Sequence, residues 1–575
     1  MCGIYGQVGA NTVDVTRTLL AMSTAMKHRG PDDSGFDTHM YTDRHVGLGM
    51  NRLAIIDIGS GQQPIHSPDK QVTIVFNGEI YNYIALRKQL HDYPFQTQSD
   101  TETILALYLK HGTQCVDLLR GMFAFCIYDR RTHQVHLFRD HVGIKPLYWY
   151  HANGRFLFSS EITGITSVTS NYQLNTRAVL KYLTFRYVTG PDTIWTTIHS
   201  LPPGHFLTYD IHRHSTSLTR WWNLPTSPLH ISYTDAKTRL AELLVGSVRD
   251  RLQSEVPLGA YLSGGVDSSL LSVIAQRNLD TPLNVYNIGY PDANEFEYAL
   301  TLAKQHRLNY HQYQMREADV VDMIPYWIRH MDQPMCDPAS IPTLYLSRYV
   351  TKRLTVMLSG EGADELFAGY WQYERELSKP ETSYLSHLKG SSYFVELQGL
   401  VNSRHLTQYN PVADHTSLWD SRLSPVQRIT KFDMDTWLCD NLLQKVDRMT
   451  MGASIEARVP FLDRDLLEFG FRLPDQFKWG QGNTKRILKD VAEELGVPRS
   501  ITQRPKMGFT VPVRDLLRGV LRDDFDRARE CVRQLPYIHA PVLEDKVARF
   551  YEGDDSQGLF AWNIFVLSLW LEYNP

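Results

Sequence analysis

The sequence predicts two domains that each combine sheets with helices, the second built on a parallel α/β sheet, and three observations predict them. The chain has 575 residues, which is too long for one ordinary hydrophobic core. Short β-like runs interrupted by helical stretches fill the first 210 or so residues, a pattern that indicates sheets covered by helices. Beyond residue 232, strands alternate with helices, which favours a parallel sheet. We therefore expect one domain at 2–210, a linker at 211–232 and a second domain at 233–575.

Composition excludes several classes of protein. Hydrophobic residues make up 43% and charged residues 21%, as in an average soluble protein, and the net charge is -4. The chain lacks the clustered basic surface of a nucleic-acid binder, and it has no apolar run long enough to span a membrane. Its start does not resemble a signal peptide. Six scattered cysteines predict a reducing, cytoplasmic setting, and the 22 histidines show no zinc-ligand spacing with cysteine.

The predicted elements of the first domain follow its apolar runs. Residues 72–76 form a β-like run that ends in Asn77-Gly78, which predicts a hairpin turn. The other predicted strands are 123–128, 135–138 and 155–158. Residues 100–110 carry apolar side chains at helical spacing, so we expect a helix there.

The second domain begins after a polar, proline-containing stretch at 212–228. Thr234 is the predicted N-cap of a helix that presents Leu240, Leu243, Leu244 and Val248 on one face. Predicted strands follow at 258–262, 283–288 and 354–358, with helices between them. The chain beyond about residue 425 is predicted to be mostly helical.

Cys2 is the most informative residue of the first half. Removal of the initiator methionine would place a thiol and a free α-amine on one carbon. The amine's reference pKa of about 7.7–8.0 lets it act as a general base near neutral pH. The thiolate is the attacking species. Alone, a Met-Cys start is weak grounds for catalysis, because many chains begin so by chance.

The strings that follow Cys2 in order give it a context. They are HRGPDD at 28–33, RLAIID at 52–57, NGEIYN at 77–82, SDTE at 99–102, RD at 139–140, GIKPLY at 143–148 and SSE at 159–161. Together they resemble the glutaminase domain of the class II, N-terminal-nucleophile amidotransferases, over residues 2–205. The resemblance implies an α+β fold, an αββα sandwich, and it implies glutamine as a substrate.

Glutamine hydrolysis needs an oxyanion site, and by resemblance its donors are the Asn77 amide and the Gly78 N–H. Arg52 suits the α-carboxylate of glutamine, and Asp100, with Glu79 nearby, suits its α-ammonium group. Taken singly, these residues would be a turn or surface charges. The implied glutamine-binding set is Arg52, Leu53, Ala54, Ile55, Ile56, Asn77, Gly78, Glu79 and Asp100.

A glycine-rich loop opens the second domain. The string SGGVDSS at 263–269 follows an apolar strand and leads into a helix. Glycines let the backbone approach a phosphate, and a helix N-terminus presents N–H groups to it. The string resembles the PP-loop of ATP pyrophosphatases, which implies an α/β parallel-sheet ATP-binding domain. Asp267 is then the expected Mg²⁺ ligand.

A second string, SGEGADELF at 359–367, resembles a motif of asparagine synthetases. Three later strings also match motifs of that family: LLQKVDRMTM at 442–451, EARVPFLD at 456–463 and TKRIL at 484–488. Because strand C-termini share one crevice, both loops can bind one ligand. The resemblance implies catalytic roles for Glu361 and Lys485, a second Mg²⁺ ligand in Asp364, and an ATP site formed by Leu262, Ser263, Gly264, Gly265, Asp267, Ser268, Ile288, Ser359 and Gly360. A solvated lysine and a favourable helix start are the alternatives for Lys485 and Asp364. Many relatives have glutamate where Gln333 stands.

The two halves together predict a glutamine-dependent ligase that uses ATP and Mg²⁺. Its simplest carboxylate acceptor is aspartate, giving asparagine. The same chemistry on a sugar acid, a peptide or a natural-product precursor stays open, because function lies in the site rather than in the fold. A catalytically silent sensor of glutamine or nucleotide is the alternative from another class. Relatives often pair as homodimers, and no nucleic acid or membrane partner is expected.

Overall fold

The structure is a computed structural model that describes residues 2–10, 14–291, 293–379, 383–390, 395, 399–480, 483–505 and 511–574. Within these residues the first domain contains two antiparallel sheets of six strands each. Their orders are β10-β8-β9-β1-β3-β2 and β12-β11-β7-β6-β5-β4. The strands are β1 Gly3–Ala10, β2 Asp33–Tyr41, β3 Arg44–Arg52, β4 Ile65–His66, β5 Val72–Ile80, β6 Gly121–Asp129, β7 Gln134–Arg139, β8 Tyr148–Ala152, β9 Arg155–Ser159, β10 Ile198–Ser200, β11 His205–Asp210 and β12 Ser215–Arg220.

The two sheets face each other and helices cover their outer sides. Side chains such as Ile4 and Leu48 of one sheet pack against Val75 and Cys126 of the other. The outer faces carry separate apolar clusters beneath α1 and α3. This arrangement confirms the αββα sandwich. The helices of this domain are α1 Val15–Ala25, α2 Tyr83–Arg87, α3 Asp100–His111, α4 Ile162–Thr166 and α5 Thr176–Phe185.

Three sequence predictions differ from the structure. The hairpin turn at Asn77-Gly78 is wrong, because β5 continues through both residues to Ile80, paired with β6. The range 211–232 is not all linker, since it contains β12, which pairs with β11 along its whole length. The N-cap is Ser232 rather than Thr234: its side chain accepts the Asp235 N–H, and α6 begins at Tyr233.

The second domain is built on a parallel sheet of five strands in the order β15-β14-β13-β16-β17. Its central strand β13 is flanked by β14 on one side and β16 on the other. The strand order therefore reverses between β13 and β16, which is where open α/β sheets bind ligands. The strands are β13 Leu258–Tyr261, β14 Asn284–Gly289, β15 Asn309–Gln314, β16 Val356–Leu358 and β17 Glu456–Arg458.

Helices surround this sheet and form most of the C-terminal region, as predicted. A π-helical stretch, Met434–Leu442, joins α16 to α17. The α-helices are α6 Tyr233–Asp250, α7 Val266–Arg277, α8 Phe296–His306, α9 Glu317–His330, α10 Ser340–Val350, α11 Ala363–Phe367, α12 Trp371–Leu377, α13 Tyr384–Gly390, α14 Ser403–Gln408, α15 Pro411–Asp414, α16 Pro425–Asp433, α17 Leu443–Met451, α18 Arg464–Arg472, α19 Asp475–Lys478, α20 Arg486–Glu494, α21 Arg499–Thr502, α22 Val513–Arg518, α23 Arg522–Arg533, α24 Ala540–Tyr551 and α25 Gly558–Tyr573.

The domains share apolar packing. Leu53, Ile55 and Met122 of the first domain belong to the same buried cluster as Leu240 and Leu244 of α6. The glutaminase-like half therefore packs against the second domain through the segment that follows β3. Across the described ranges, no helix is both long enough and apolar enough to cross a bilayer.

Candidate active sites

Cys2 lies immediately before β1, inside the sandwich. Its backbone N–H donates to Asn77 Oδ1 at 2.9 Å, which joins the entry to β1 of one sheet to β5 of the other. The side chain is buried. Burial raises the pKa of the Cys2 thiol, while the Leu53 backbone and the Arg52 guanidinium act in the lowering direction. The predicted nucleophile and its predicted neighbours therefore form one group.

Asn77 holds a free donor beside this thiol. Its Oδ1 accepts from Cys2, which fixes Nδ2 as the donor side of the amide. Nδ2 is buried and has no hydrogen-bond partner within the described part of the chain. A buried donor without an acceptor costs about 1–3 kcal/mol, so its retention indicates that a ligand oxygen completes it. An oxyanion formed at the Cys2 thiol is such an acceptor.

Gly78 is required by the close approach of β6. A Cβ at this position would overlap the Met122 carbonyl oxygen, and the residue has a φ of 154°. Any larger side chain would push β5 and β6 apart and would displace the neighbouring Asn77. The glycine thus holds the amide donor in place.

Arg52 ends β3 and closes the loop that follows it. Its guanidinium donates to the carbonyl oxygens of Ile56, Asp57 and Ile58, with the shortest bond, 2.7 Å, to Asp57. The Ala54 N–H donates to Asp32, and the Ile55 carbonyl accepts from Glu255 of the second domain. The loop 53–56 is therefore held rigidly beside Cys2. That Arg52 binds the carboxylate of glutamine stays a prediction.

Two buried acids lie in the same region. Asp100, the first residue of α3, accepts the Ile80 N–H at 2.9 Å, and burial raises its pKa to about 6. The pKa of Glu79 is raised well above its usual range by burial and by the nearby carboxylate of Glu456. Glu79 also lies 3.4 Å from Arg458, so β17 of the second domain contacts this site directly.

The second site lies where β13, β14 and β16 end. Leu262 and Ser263 follow β13, Ile288 lies at the end of β14, and Ser359 and Gly360 follow β16. These residues line a cavity of about 450 Å³, within the range of about 300–1,000 Å³ typical of small-molecule sites. The other lining residues from the sequence prediction are Gly265, Asp267, Ser268, Glu361, Asp364 and Lys485; Gly264 is not among the lining residues.

The cavity contains a lysine between two carboxylates. Lys485 Nζ lies 2.6 Å from Asp267 Oδ2 and 2.8 Å from Asp364 Oδ1. Burial alone would lower the pKa of Lys485, but the two carboxylates raise it overall, so the ammonium stays charged. Lys485 has a left-handed backbone, φ 53°, a strained conformation of the kind found at functional sites. A Cβ at Gly369 would overlap both Lys485 and Asp364.

Lys445, to which the sequence analysis gave no role, also lines this cavity. Its Nζ lies 3.1 Å from Asp337 and 3.4 Å from Glu361. Burial would lower the pKa of Lys445, and the two carboxylates outweigh it and raise the pKa. A second buried cation therefore holds Glu361. The sequence shows Lys445 only as one residue of the string 442–451 and does not reveal its partner.

A buried cluster of ions joins the two domains. Arg29 NH1 lies 2.7 Å from Asp447 and 2.9 Å from Glu161. Arg448 lies 3.0 Å from Glu161, and Lys145 lies 3.6 Å from Asp447. All five side chains are at most 5% exposed. We refer to Arg29, Lys145, Glu161, Asp447 and Arg448 as the interdomain ion cluster.

Comparison with known proteins identifies the family. The family model "Asparagine synthase" matches residues 239–572, and the model "Glutamine amidotransferase domain" matches residues 1–222. The chain belongs to the asparagine synthetase family. The first-domain match extends past residue 210, in agreement with the position of β12.

Relatives in this family match over nearly the whole chain. Asparagine synthetase [glutamine-hydrolyzing] 1 of Bacillus subtilis strain 168 is 31% identical, over 100% of this chain and 97% of the relative. Asparagine synthetase [glutamine-hydrolyzing] 3 of the same organism is 30% identical, over 88% and 87%. Asparagine synthetase [glutamine-hydrolyzing] 2 of that organism is 31% identical, over 88% of this chain and 72% of the relative. The family assignment therefore covers both domains in one chain.

Proposed function

We propose that this chain makes asparagine from aspartate, with ATP to activate the carboxylate and glutamine to supply nitrogen. The proposal is supported by full-length similarity to synthetases of that name and by two separate sites on the two predicted domains. One observation carries the glutamine half: the buried Asn77 Nδ2 donor next to Cys2. Neither a sugar-acid acceptor nor a silent sensor is favoured by these relatives.

At the first site, the Cys2 thiolate attacks the amide carbon of glutamine. The C=O electron pair moves onto oxygen, and Asn77 Nδ2 and the Gly78 N–H donate to the resulting oxyanion. The Cys2 α-amine, which took up the thiol proton, donates it to the leaving nitrogen as the oxyanion collapses; the C–N bond breaks, ammonia leaves and a thioester with Cys2 remains. Water then hydrolyses the thioester to glutamate. Asp100, which is ionised above its pKa of about 6, supplies negative charge for the α-ammonium group, and Glu79 lies beside it.

At the second site, a carboxylate oxygen of aspartate attacks the α-phosphorus of ATP. The bond to the β-phosphate breaks, which yields aspartyl-AMP and pyrophosphate. Negative charge builds up on the phosphates in this step, and the buried Lys485 ammonium lies where it can offset that charge. Ammonia then displaces AMP and gives the amide. Glu361, fixed by Lys445, lies in the same cavity.

Two carboxylates of the cavity fit Mg²⁺. Asp267 lies in the first turn of α7 and Asp364 in the first turn of α11, and both face one point now held by Lys485. Hard carboxylate oxygens, together with substrate phosphates, are the ligands Mg²⁺ prefers. When bound, the ion would neutralise part of the phosphate charge and orient the pyrophosphate group. Gly369 leaves the space in which the two acids and the lysine approach each other.

Ammonia must cross from one site to the other inside the protein, because in water near neutral pH it would be protonated and lose its nucleophilic electron pair. The shared apolar packing and the interdomain ion cluster hold the two domains together for this transfer.

A panel of carboxylates tests the acceptor. The protein is incubated with ATP, Mg²⁺ and glutamine together with aspartate, glutamate, a sugar acid or a short peptide, and pyrophosphate is measured. We expect release with aspartate alone. Release with another carboxylate and not with aspartate would overturn the acceptor, and no release with any would overturn the enzyme assignment.

Cys2→Ala separates the two sites. This variant should lose all glutamine-dependent synthesis and keep synthesis from added ammonium, since the second site does not contain the thiol. Loss of both activities in a folded variant would contradict the division of labour.

A further inference from the structure

Three side chains of types that bind metal ions meet at one edge of the sandwich. Asp37 and His39 lie two positions apart on β2, so they share one face of that strand. His66 lies on β4. Strand β2 is the edge of the first sheet and β4 is the edge of the second. The three residues therefore link the edges of the two sheets. Among the described strands, β2 and β4 are not joined by backbone hydrogen bonds.

The spacing of the donor atoms is that of a metal site. Asp37 Oδ2 lies 2.9 Å from His39 Nε2 and 3.5 Å from His66 Nε2, and all three atoms lie within 4.8 Å of one another. Bonds of about 2.0–2.1 Å around a tetrahedral Zn²⁺ put neighbouring ligand atoms about 3.3 Å apart. Small side-chain movements would bring this triad to that separation.

The surroundings orient each donor toward the shared point. Asp37 Oδ1 accepts the Thr38 N–H at 2.8 Å, which leaves Oδ2 directed at the histidines. His66 Nδ1 lies 3.1 Å from Thr73 Oγ1, so an Nδ1–H donating there leaves Nε2 with its lone pair. Thr73 Oγ1 is also 3.4 Å from His39 Nε2, a long contact that a metal ion would replace. His39 is only 8% exposed and packs against the Tyr128 ring.

We propose that Asp37, His39 and His66 bind a Zn²⁺-class divalent ion that ties the two sheets of the glutaminase domain together. Two imidazoles and one carboxylate suit Zn²⁺, whereas Mg²⁺ prefers oxygen ligands and would be retained at the ATP site instead. His66 and Asp37 are about one third exposed, so water can take the fourth position. The ligands of this site come from separate strands, so the absence of zinc-ligand spacing between histidine and cysteine in the sequence does not exclude it.

The stabilising effect follows from the location. An ion bound to the folded protein and not to the unfolded chain raises stability by mass action. This site bridges edge strands of both sheets, so its ion would resist opening of the sandwich. We expect Zn²⁺ to raise the melting temperature of the first domain without changing asparagine synthesis at saturating Mg²⁺.

Metal titration of the full-length protein tests the site. Chelator-treated protein in excess Mg²⁺ is titrated with Zn²⁺ by calorimetry, and with Co²⁺ by visible absorption, where a tetrahedral site gives intense bands. We expect one ion per chain. His66→Ala and Asp37→Asn should weaken Zn²⁺ binding at least about 100-fold and abolish the Zn²⁺-dependent rise in melting temperature.

Matched variants identify the ligands. His91→Ala removes a 78%-exposed histidine outside the triad, and Asp364→Asn alters the ATP cavity; both should bind Zn²⁺ like the unmodified protein. Both triad variants change partly exposed side chains, so circular dichroism should show a native fold. Absence of Zn²⁺ binding in the unmodified protein, or equal binding in His66→Ala and His91→Ala, would overturn the proposal.

Discussion

Replacing Asp447 with asparagine removes one negative charge from the interdomain ion cluster while keeping the size of the side chain. The Asp447 carboxylate accepts two bonds from Arg29, at 2.7 and 3.2 Å, and lies 3.6 Å from Lys145. Burial alone would raise the pKa of Asp447, but Arg29 and Lys145 lower it overall, so the side chain is ionised in the folded protein. Asp447→Asn therefore leaves Arg29 with Glu161 as its remaining anionic partner.

The loss of stability expected for Asp447→Asn is large because the ion pair that it breaks is buried. Removing one partner of a buried ion pair destabilises a protein by about 3–5 kcal/mol. Asparagine keeps one oxygen as an acceptor for Arg29, and burial lowers the pKa of Lys145, which reduces the cost of removing its carboxylate partner. We therefore expect the lower end, about 3 kcal/mol. For the second domain of about 340 residues, an unfolding entropy of about 2.1 cal/mol/K per residue converts this loss into a fall in melting temperature of about 4 °C.

Differential scanning calorimetry and product analysis measure the effect. Asp420→Asn is the matched control, because Asp420 pairs with Arg422 at the surface and such pairs contribute about 0–1 kcal/mol. We expect Asp447→Asn to release more glutamate per asparagine as well, since the weakened interface lets ammonia escape. Equal melting temperatures and equal glutamate-to-asparagine ratios in the two variants would refute the reasoning.

Three further predictions address the sites. Lys485→Met should slow aspartate-dependent pyrophosphate release about 10²–10³-fold and leave glutaminase activity unchanged; loss of glutaminase activity would contradict the assignment. Gly369→Ala should produce a similar defect, because its methyl group would displace Lys485 from Asp364, whereas Gly246→Ala, at an open helix position, should not. Burial raises the pKa of Asp100 to about 6, so the folded protein holds a proton that the unfolded chain releases between about pH 4 and 6, and stability should fall as pH rises through that window. Urea titrations should show this slope in the unmodified protein and a smaller slope in Asp100→Asn; equal slopes would show that Asp100 is not its source.

Local sequence predicted the elements because their signals are local. An apolar run predicts the strand at 72–76, helical spacing of apolar side chains predicts the helix at 100–110, and glycine placement predicts the loops after β13 and β16. The prediction of a turn at Asn77-Gly78 is wrong because it used the same local signals. Local preference favours a turn there, but Gly78 serves a contact with Met122 on the next strand, which the local pattern does not contain.

Contacts between residues that are far apart in the chain could not be predicted from local sequence pattern. Arg29 and Asp447 are 418 residues apart, and their pairing depends on how two domains dock. The triad of Asp37, His39 and His66 depends on the packing of two sheet edges. The approach of Arg458 to Glu79 likewise brings a strand of the second domain to the glutamine site. Such contacts are properties of the folded chain.

Isotope tracing tests the central claim, that nitrogen released at Cys2 reaches the activated aspartate inside the protein. The protein is given amide-¹⁵N glutamine, aspartate, ATP and Mg²⁺ in a large excess of unlabelled ammonium, and the asparagine is analysed by mass spectrometry. We expect asparagine far richer in ¹⁵N than the ammonium in solution. Asparagine with the same ¹⁵N content as that ammonium would contradict direct transfer between the two sites.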